Sequence, residues 1–383
     1  MPPRIIKHTE HLFKKILQLP YTIVFRKGDK SKLPVNPADV NSILILRPDK
    51  LGDMIVTIPV IHALKDRFPH ICLELMVSPK NKSVVENDPM VDQVHLYTKN
   101  ILKDWPVIRR LRRKGFDIIY DPICHDSATG LLLTKIIGKS SLHVASRKLE
   151  LRKYYDYCEK YEPDGDDHNI DNGLLIFNAL GVNPGTVNPF HPVFLPENSR
   201  NLAEKFFGTL PSGDYIWVGV NISAGSPSRT ISVEKYAAAI GELGAKHPEL
   251  RFVIICVMEN REEAWKLTLE ANSKAFIVPE NLSLLDASAI LGKLDIFISP
   301  DTSLIHIAGL MRIPVIGLYS GHKRNFLFWK PYRQQYGAVV AKDVNSLYDI
   351  EPVQVVEQFE LIYNAFREQG HDGPLQARQA GFV

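Results

Sequence analysis

The segment Arg47-Pro48-Asp49-Lys50-Leu51-Gly52-Asp53 sets two carboxylates and two cations beside a glycine. An aspartate is ionised near neutral pH and can take a proton from an attacking hydroxyl, so Asp53 is the candidate general base. Gly52 would permit a tight turn and a close approach of ligand to backbone. Asp49 and Lys50 share the loop. Asp53 would equally serve as the cap of a following helix.

Two further segments carry groups suited to a phosphate. Ser299-Pro300-Asp301-Thr302-Ser303-Leu304-Ile305-His306 reads as a strand end and a helix start. Asp301 would cap that helix. The N–H groups of Thr302 and Ser303, with the helix dipole, would favour a diphosphate, and His306 one turn on would reach the same anion. Ser223-Ala224-Gly225-Ser226-Pro227-Ser228-Arg229 is a small-residue loop ending in a cation. It can wrap a phosphate, with Arg229 supplying charge-assisted bonds. The plainer readings are a capped helix with His306 on a partly buried face, and a generic turn.

Several other chemistries find no support. No Gly-x-Gly-x-x-Gly follows a strand, which argues against a dinucleotide-dependent epimerase or dehydrogenase. Gly138-Lys139-Ser140 lacks its partner glycine, since Leu133 stands there. Gly-x-Ser-x-Gly is missing. Asp164-Gly165-Asp166 has the spacing of a divalent-cation pair, but no strand precedes it and a solvated loop is expected. No metal site and no cofactor are expected.

The elements that must position these segments alternate. Ile43 to Leu46 reads as a strand, Met54 to Phe68 as a helix, Cys72 to Val77 and Ile118 to Tyr120 as strands. Five prolines between Asn183 and Pro211 mark a connector. A second alternating block follows, with strands at Tyr215 to Val220, Phe252 to Val257, Ile296 to Ser299 and Val315 to Tyr319, and helices at Val233 to His247, Leu284 to Leu291 and Leu304 to Met311. Such alternation predicts α/β architecture: two Rossmann-like, doubly wound domains facing an interdomain cleft, with ligands beyond the carboxyl ends of the strands. The expected division is a basic amphipathic extension over 1–40, an acceptor domain over 41–190, a donor domain over 191–350, and a C-terminal helix with a mobile tail over 351–383.

With 383 residues, 45% hydrophobic and 23% charged, the chain can bury two cores, and a net charge of +3 does not indicate a nucleic-acid binder. None of the four cysteines forms a Cys-x-x-Cys pair, and three read as buried thiols suited to a reducing compartment. Ile16 to Phe25 is too short for a spanning helix and lacks a cleavage site, so a cytoplasmic protein is expected. Residues 1–32 carry eight basic residues against Glu10 and Asp29, a net +6, with Leu12, Phe13, Ile16, Leu17 and Leu19 between them. That pattern suits either peripheral contact with an anionic membrane face or packing on the body. Between Lys99 and Lys114, Lys103, Arg109, Arg110, Arg112 and Arg113 crowd together with one acid, Asp104. The run suits an anionic glycolipid acceptor or leaflet, or is a solvated basic helix face.

Taken in order, these segments resemble glycosyltransferase family 9, the heptosyltransferases of lipopolysaccharide core assembly. The resemblance spans about Asn41 to Val340. It rests on Arg-x-Asp-x-Leu-Gly-Asp-Met at Arg47–Met54 with Thr57 and Pro59, on His168-Asn169 before Leu180-Gly181, on Asp301-Thr302 with His306-Ile307-Ala308, and on Pro314-Val315-Ile316-Gly317-Leu318-Tyr319. It implies a GT-B fold, an inverting and metal-free mechanism, and ADP-heptose as donor. By position it implies Asp53 as base, Asp301, Thr302 and His306 at the donor diphosphate, Arg229 where a lysine is usual, and Glu262 at the ribose. The sequence departs from the family at Ser303, where glycine is usual, and at Ile231-Ser232, where Trp-Pro is usual. The other reading is a non-catalytic nucleotide-sugar-binding or assembly protein of the same fold.

Overall fold

The computed structural model of the chain describes residues 25–162, 168–271 and 274–368. They fall into two units, one running to Pro189 without His168, the other taking His168 and the residues from Phe190 on. The expected lipid-facing residues of the first 24 positions, the Asp164-Gly165-Asp166 loop and the tail from Gln369 lie outside the described residues. From Phe25 the chain packs on the first unit. Phe25 joins a small core with Leu131, Tyr154 and Tyr155, and Gly28 N–H donates to Lys153 O at 3.0 Å.

The first unit is a six-stranded sheet of β1 (Ser42–Arg47), β2 (Cys72–Val77), β3 (Gln93–Leu96), β4 (Ile118–Asp121), β5 (Leu142–Lys148) and β6 (Tyr157–Lys160). The order is β3-β2-β1-β4-β5-β6 and every neighbouring pair is parallel. Five of the six β1 residues are buried, as a strand covered on both faces requires. The helix expected from Met54 is two: Leu51–Ile55 and Ile58–Arg67. Pro59 sits in the first turn of the second, where its missing N–H costs nothing but where a continuous helix would need it. The break leaves Asp53 O free of the helix ladder, and the Thr57 hydroxyl and Arg47 Nε donate to it at 2.8 and 3.1 Å.

The second unit repeats the plan with β7 (Ile216–Asn221), β8 (Leu250–Ile255), β9 (Ala275–Ile277), β10 (Ile296–Pro300), β11 (Val315–Tyr319) and β12 (Tyr336–Val340), ordered β12-β11-β10-β7-β8-β9 and all parallel. Val218, Phe252, Ile298 and Ile316 form its core, and the C-terminal helix Pro352–Glu368 lays Val355, Phe359, Ile362 and Phe366 into it. A Cβ on Gly317 would stand 2.4 Å from the Tyr319 ring, so that strand needs the glycine. Strand order reverses between β1 and β4 in one unit and between β7 and β10 in the other. Such reversals open crevices at the carboxyl ends of the strands. No helix among the described residues is long and apolar enough to cross a membrane.

All four cysteines are free; the three beside apolar residues, Cys72, Cys124 and Cys256, are half-buried rather than buried as expected, and Cys158 is the one inside.

Candidate active site

In the first unit the loop after β1 delivers Asp49, Lys50, Gly52 and Asp53 to the reversal point. Two tethers hold the loop. Asn81 Nδ2 donates to Arg47 O at 2.9 Å, and Ser78 Oγ donates to Asp49 O at 3.0 Å. Gly52 lies inside the short helix with ordinary right-handed backbone rather than at a positive-φ turn, which corrects the expected tight turn. Lys50, not Asp53, occupies the cap position, and it makes no side-chain capping bond. Asp53 is the third helical residue, with its carboxylate 24% exposed and its Oδ1 4.0 Å from Arg47 Nη2.

Arg47 is the buried centre of this loop. Its Nε donates to Thr57 Oγ1 at 2.7 Å and its Nη1 to Asp49 Oδ2 at 2.8 Å. Burial opposes its charge, but Asp49 and Asp53 together hold the guanidinium pKa above its ordinary value. Asp49 goes the other way. Burial pushes its carboxyl up to about 6 against the pull of Arg47, and the neighbouring Asp53 adds to the rise. Its Oδ1 is buried without a hydrogen-bond partner among the described residues. The loop therefore holds two carboxyl groups of nearly equal exposure but unlike contacts: Asp49 is hydrogen-bonded to the guanidinium at 2.8 Å, whereas Asp53 is more loosely held, 4.0 Å from it.

β4 ends on a feature that the sequence reading did not single out. Asp121 is fully buried and accepts from Lys148 Nζ at 3.0 Å, from the Tyr155 hydroxyl at 2.7 Å and from Ile123 N–H at 3.1 Å. Burial next to Asp121 pushes the Tyr155 hydroxyl well above its ordinary pKa, so it stays a donor. Gly130 lets the following helix approach, since a Cβ there would meet Asp121 Oδ2 at 2.5 Å.

In the second unit Asn221 links the two strands that flank the reversal. Its Nδ2 donates to Ser299 Oγ at 3.0 Å and Thr302 Oγ1 at 3.3 Å, and its Oδ1 accepts from Ser223 N–H at 3.1 Å. Ser223 Oγ in turn donates to Asn260 Oδ1 at 2.8 Å. Gly225 has open space where a side chain would stand. The helix begins at Ser303 with Thr302 in the cap position and no side-chain capping bond, so Asp301 is not the expected cap. First-turn N–H groups left without a side-chain acceptor are what an anion uses.

Asp301 instead binds Arg229, whose Nη2 donates to Asp301 O at 2.7 Å and Oδ2 at 3.0 Å; Asn325 Nδ2 donates to the same carboxylate at 3.0 Å. Arg229 is about half exposed. His306 is buried, its ring 5.1 Å from that of Trp329. Close by, His168 donates from Nε2 to Lys330 O at 2.9 Å. Burial drives its pKa down to about 3, with His306 adding to the fall, so it is neutral. Glu262 is exposed in the first turn of the helix Arg261–Glu270, whereas the adjacent Glu263 has a buried Oε2 with no partner among the described residues.

The arginines Arg109, Arg110, Arg112 and Arg113 lie on the helix Ile101–Lys114 and are not brought to the Asp53 loop. Arg110 reaches His95 Nδ1 at 3.3 Å and Arg112 reaches Ile136 O at 3.0 Å, both on the body of the unit. No group of three His, Cys, Asp or Glu side chains among the described residues could hold a metal ion.

Two parallel sheets of the same reversing order, each with a polar crevice and neither with a glycine-rich dinucleotide turn, define the GT-B class of fold. Residues 105–358 match the model of glycosyltransferase family 9 (heptosyltransferase). The chain belongs to that family and is a glycosyltransferase. A Haemophilus influenzae protein described as a glycosyltransferase is 25% identical over 302 residues, covering 76% of this chain and 86% of the relative. The lipopolysaccharide core heptosyltransferase OpsX of Haemophilus influenzae is 20% identical over 324 residues, covering 82% and 88%. Among solved structures, a family 9 glycosyltransferase of Veillonella parvula superposes with a TM-score of 0.70 at 18% identity, over 85% of this chain and 97% of that one. The E. coli heptosyltransferase WaaC with ADP gives 0.63 at 16% identity, over 85% and 98%.

Proposed function

We propose that the chain moves heptose from ADP-heptose to a lipopolysaccharide core or related anionic glycan, with inversion and without a metal ion. What supports this reading most is the loosely held carboxylate of Asp53, 4.0 Å from buried Arg47, at the reversal point of a family 9 fold. The names of the relatives point to the heptose donor and the core acceptor. In this reaction the acceptor hydroxyl attacks the anomeric carbon as Asp53 takes its proton. The bond from that carbon to the diphosphate breaks, and its electron pair leaves on the diphosphate oxygen. The uncapped helix start at Ser303 and the free donors of Arg229 stabilise that oxygen, which is the electrostatic task a cation would otherwise perform. Ser223, Gly225 and Thr302 line the same loops. The site of action is the inner face of the cytoplasmic membrane, where a lipid-linked acceptor is presented.

Two measurements test the donor side. Arg229 is the exposed cation beside the helix start, whereas His306 is packed against Trp329. Arg229→Ala is therefore expected to weaken ADP binding in calorimetry by about 1.5–3 kcal/mol, one charged hydrogen bond. An unchanged affinity would place the diphosphate elsewhere. Turnover with ADP-heptose should survive EDTA. Complete loss restored by magnesium or manganese would overturn the metal-free mechanism.

A further inference from the structure

The helix Ile101–Lys114 shows solvent a face whose composition has no account in packing. Ile108 and Leu111 turn inward, as does Asp104, which accepts from Thr98 N–H, Thr98 Oγ1 and Asn100 N–H. The only acid on the helix is thus spent inside. Outward stand Leu102, 83% exposed, and Trp105, 49% exposed, in the first turns, and Arg109 and Arg113 in the later ones. Residues 102, 109 and 113 fall on one line of the helix, with 105 to one side and Lys103 and Arg110 to the other. A large exposed leucine next to a half-exposed tryptophan is unfavourable in water unless something covers it.

We infer that this face docks on an anionic lipid bilayer, with Leu102 and Trp105 entering the headgroup boundary and Lys103, Arg109 and Arg113 pairing with lipid phosphates. Charge complementarity selects the occupant: the face displays cations only, and an aromatic ring with an apolar neighbour is the pairing that sits at a membrane interface. A polyanion in solution would be held by the arginines but would leave Leu102 uncovered. The first turn follows β3, so it lies at the carboxyl end of the sheet, as does the loop that carries Asp53. A bilayer seated there would present a lipid-linked acceptor from that end; this consequence alone rests on the proposed heptosyl transfer.

Binding is read without activity, by sedimentation of the full chain with phosphatidylcholine vesicles with and without phosphatidylglycerol. The wild type is expected to bind only the anionic vesicles and to release with salt. Arg109→Glu with Arg113→Glu should weaken binding at least about tenfold, and Leu102→Ser should weaken it as well. Trp105 is one of four tryptophans. Anionic vesicles should shift tryptophan emission to shorter wavelength in the wild type and in Trp265→Phe, but not in Trp105→Phe. The side chains changed are exposed, and thermal melts that match the wild type show that the variants fold. Unchanged vesicle binding by the arginine variant, or a shift that survives Trp105→Phe, overturns the inference. So does a loss of binding confined to Lys14→Glu with Lys15→Glu, which would assign docking to the N-terminal segment, or a heparin affinity that falls in the arginine variant while vesicle affinity does not.

Discussion

Asp53→Asn is expected to fold normally, to bind ADP-heptose nearly as well as the wild type, and to turn over at least about a hundredfold more slowly. The substitution keeps the shape of the side chain and removes only its capacity to take a proton. Stability should change little, because Lys50 holds the cap position and the Asp53 carboxylate has Arg47 at 4.0 Å as its charged neighbour. The backbone oxygen of Asp53, which does hold structure through Thr57 and Arg47, is untouched. General base assistance is typically worth about 10²–10⁴ in rate, which sets the size of the loss. Asp49 is the control. It is the half-buried, hydrogen-bonded partner of Arg47 in the same loop, with its carboxyl pushed up to about 6 by burial and by Asp53. If Asp49→Asn abolishes turnover while Asp53→Asn retains the wild-type rate per molecule, the base has been assigned to the wrong carboxylate.

Asp121→Ala should destabilise the first unit by about 3–5 kcal/mol, because it leaves the Lys148 ammonium buried without its counter-charge. Both side chains are 0% exposed, and the pair is also bonded to Tyr155, Ile123 N–H and Ile123 O, so three further polar groups lose a partner or a fixed neighbour. A loss of that size is expected to lower the melting temperature by roughly ten degrees or more in a unit of this size. The double change Asp121→Leu with Lys148→Met should recover much of it, since apolar residues of similar volume often replace a buried pair at little cost. Glu86→Gln, which breaks the exposed Lys82–Glu86 pair, should shift stability by less than about 1 kcal/mol. A melting temperature for Asp121→Ala equal to that of Glu86→Gln would mean that water reaches the pair.

The strands were legible because a parallel sheet buries both faces, so β1 and β11 read as near-continuous apolar runs and β2 as one broken only by Glu74. The loops after β1, β7 and β10 were legible because polar and small residues interrupt such runs abruptly. What hid from the sequence were couplings over distance. Asp121 and Lys148 are 27 positions apart and meet only because β4 and β5 are neighbours; an aspartate closing the run Ile118-Ile119-Tyr120 was the available signal. Asn221 joins Ser299 and Thr302 across 78 and 81 positions, and nothing in the local pattern of either segment indicates it. The cap assignments failed for a local reason. Asp53 and Asp301 have the residue type that caps helices, but each carboxylate stands beside an arginine instead, Arg47 and Arg229. The basic run from Lys99 to Lys114 showed its charge in the sequence but not its direction, which depends on which side of the helix Ile108 and Leu111 bury.

The most direct test of the account is calorimetric titration of the full chain with ADP-heptose beside uridine- and guanosine-diphosphate sugars, followed by measurement of ADP released with and without an anionic core glycolipid. Selective binding of ADP-heptose, with ADP release that requires the glycolipid and falls at least about a hundredfold in Asp53→Asn, is the predicted result. Tight binding of a uridine- or guanosine-diphosphate sugar with no affinity for ADP-heptose would contradict it.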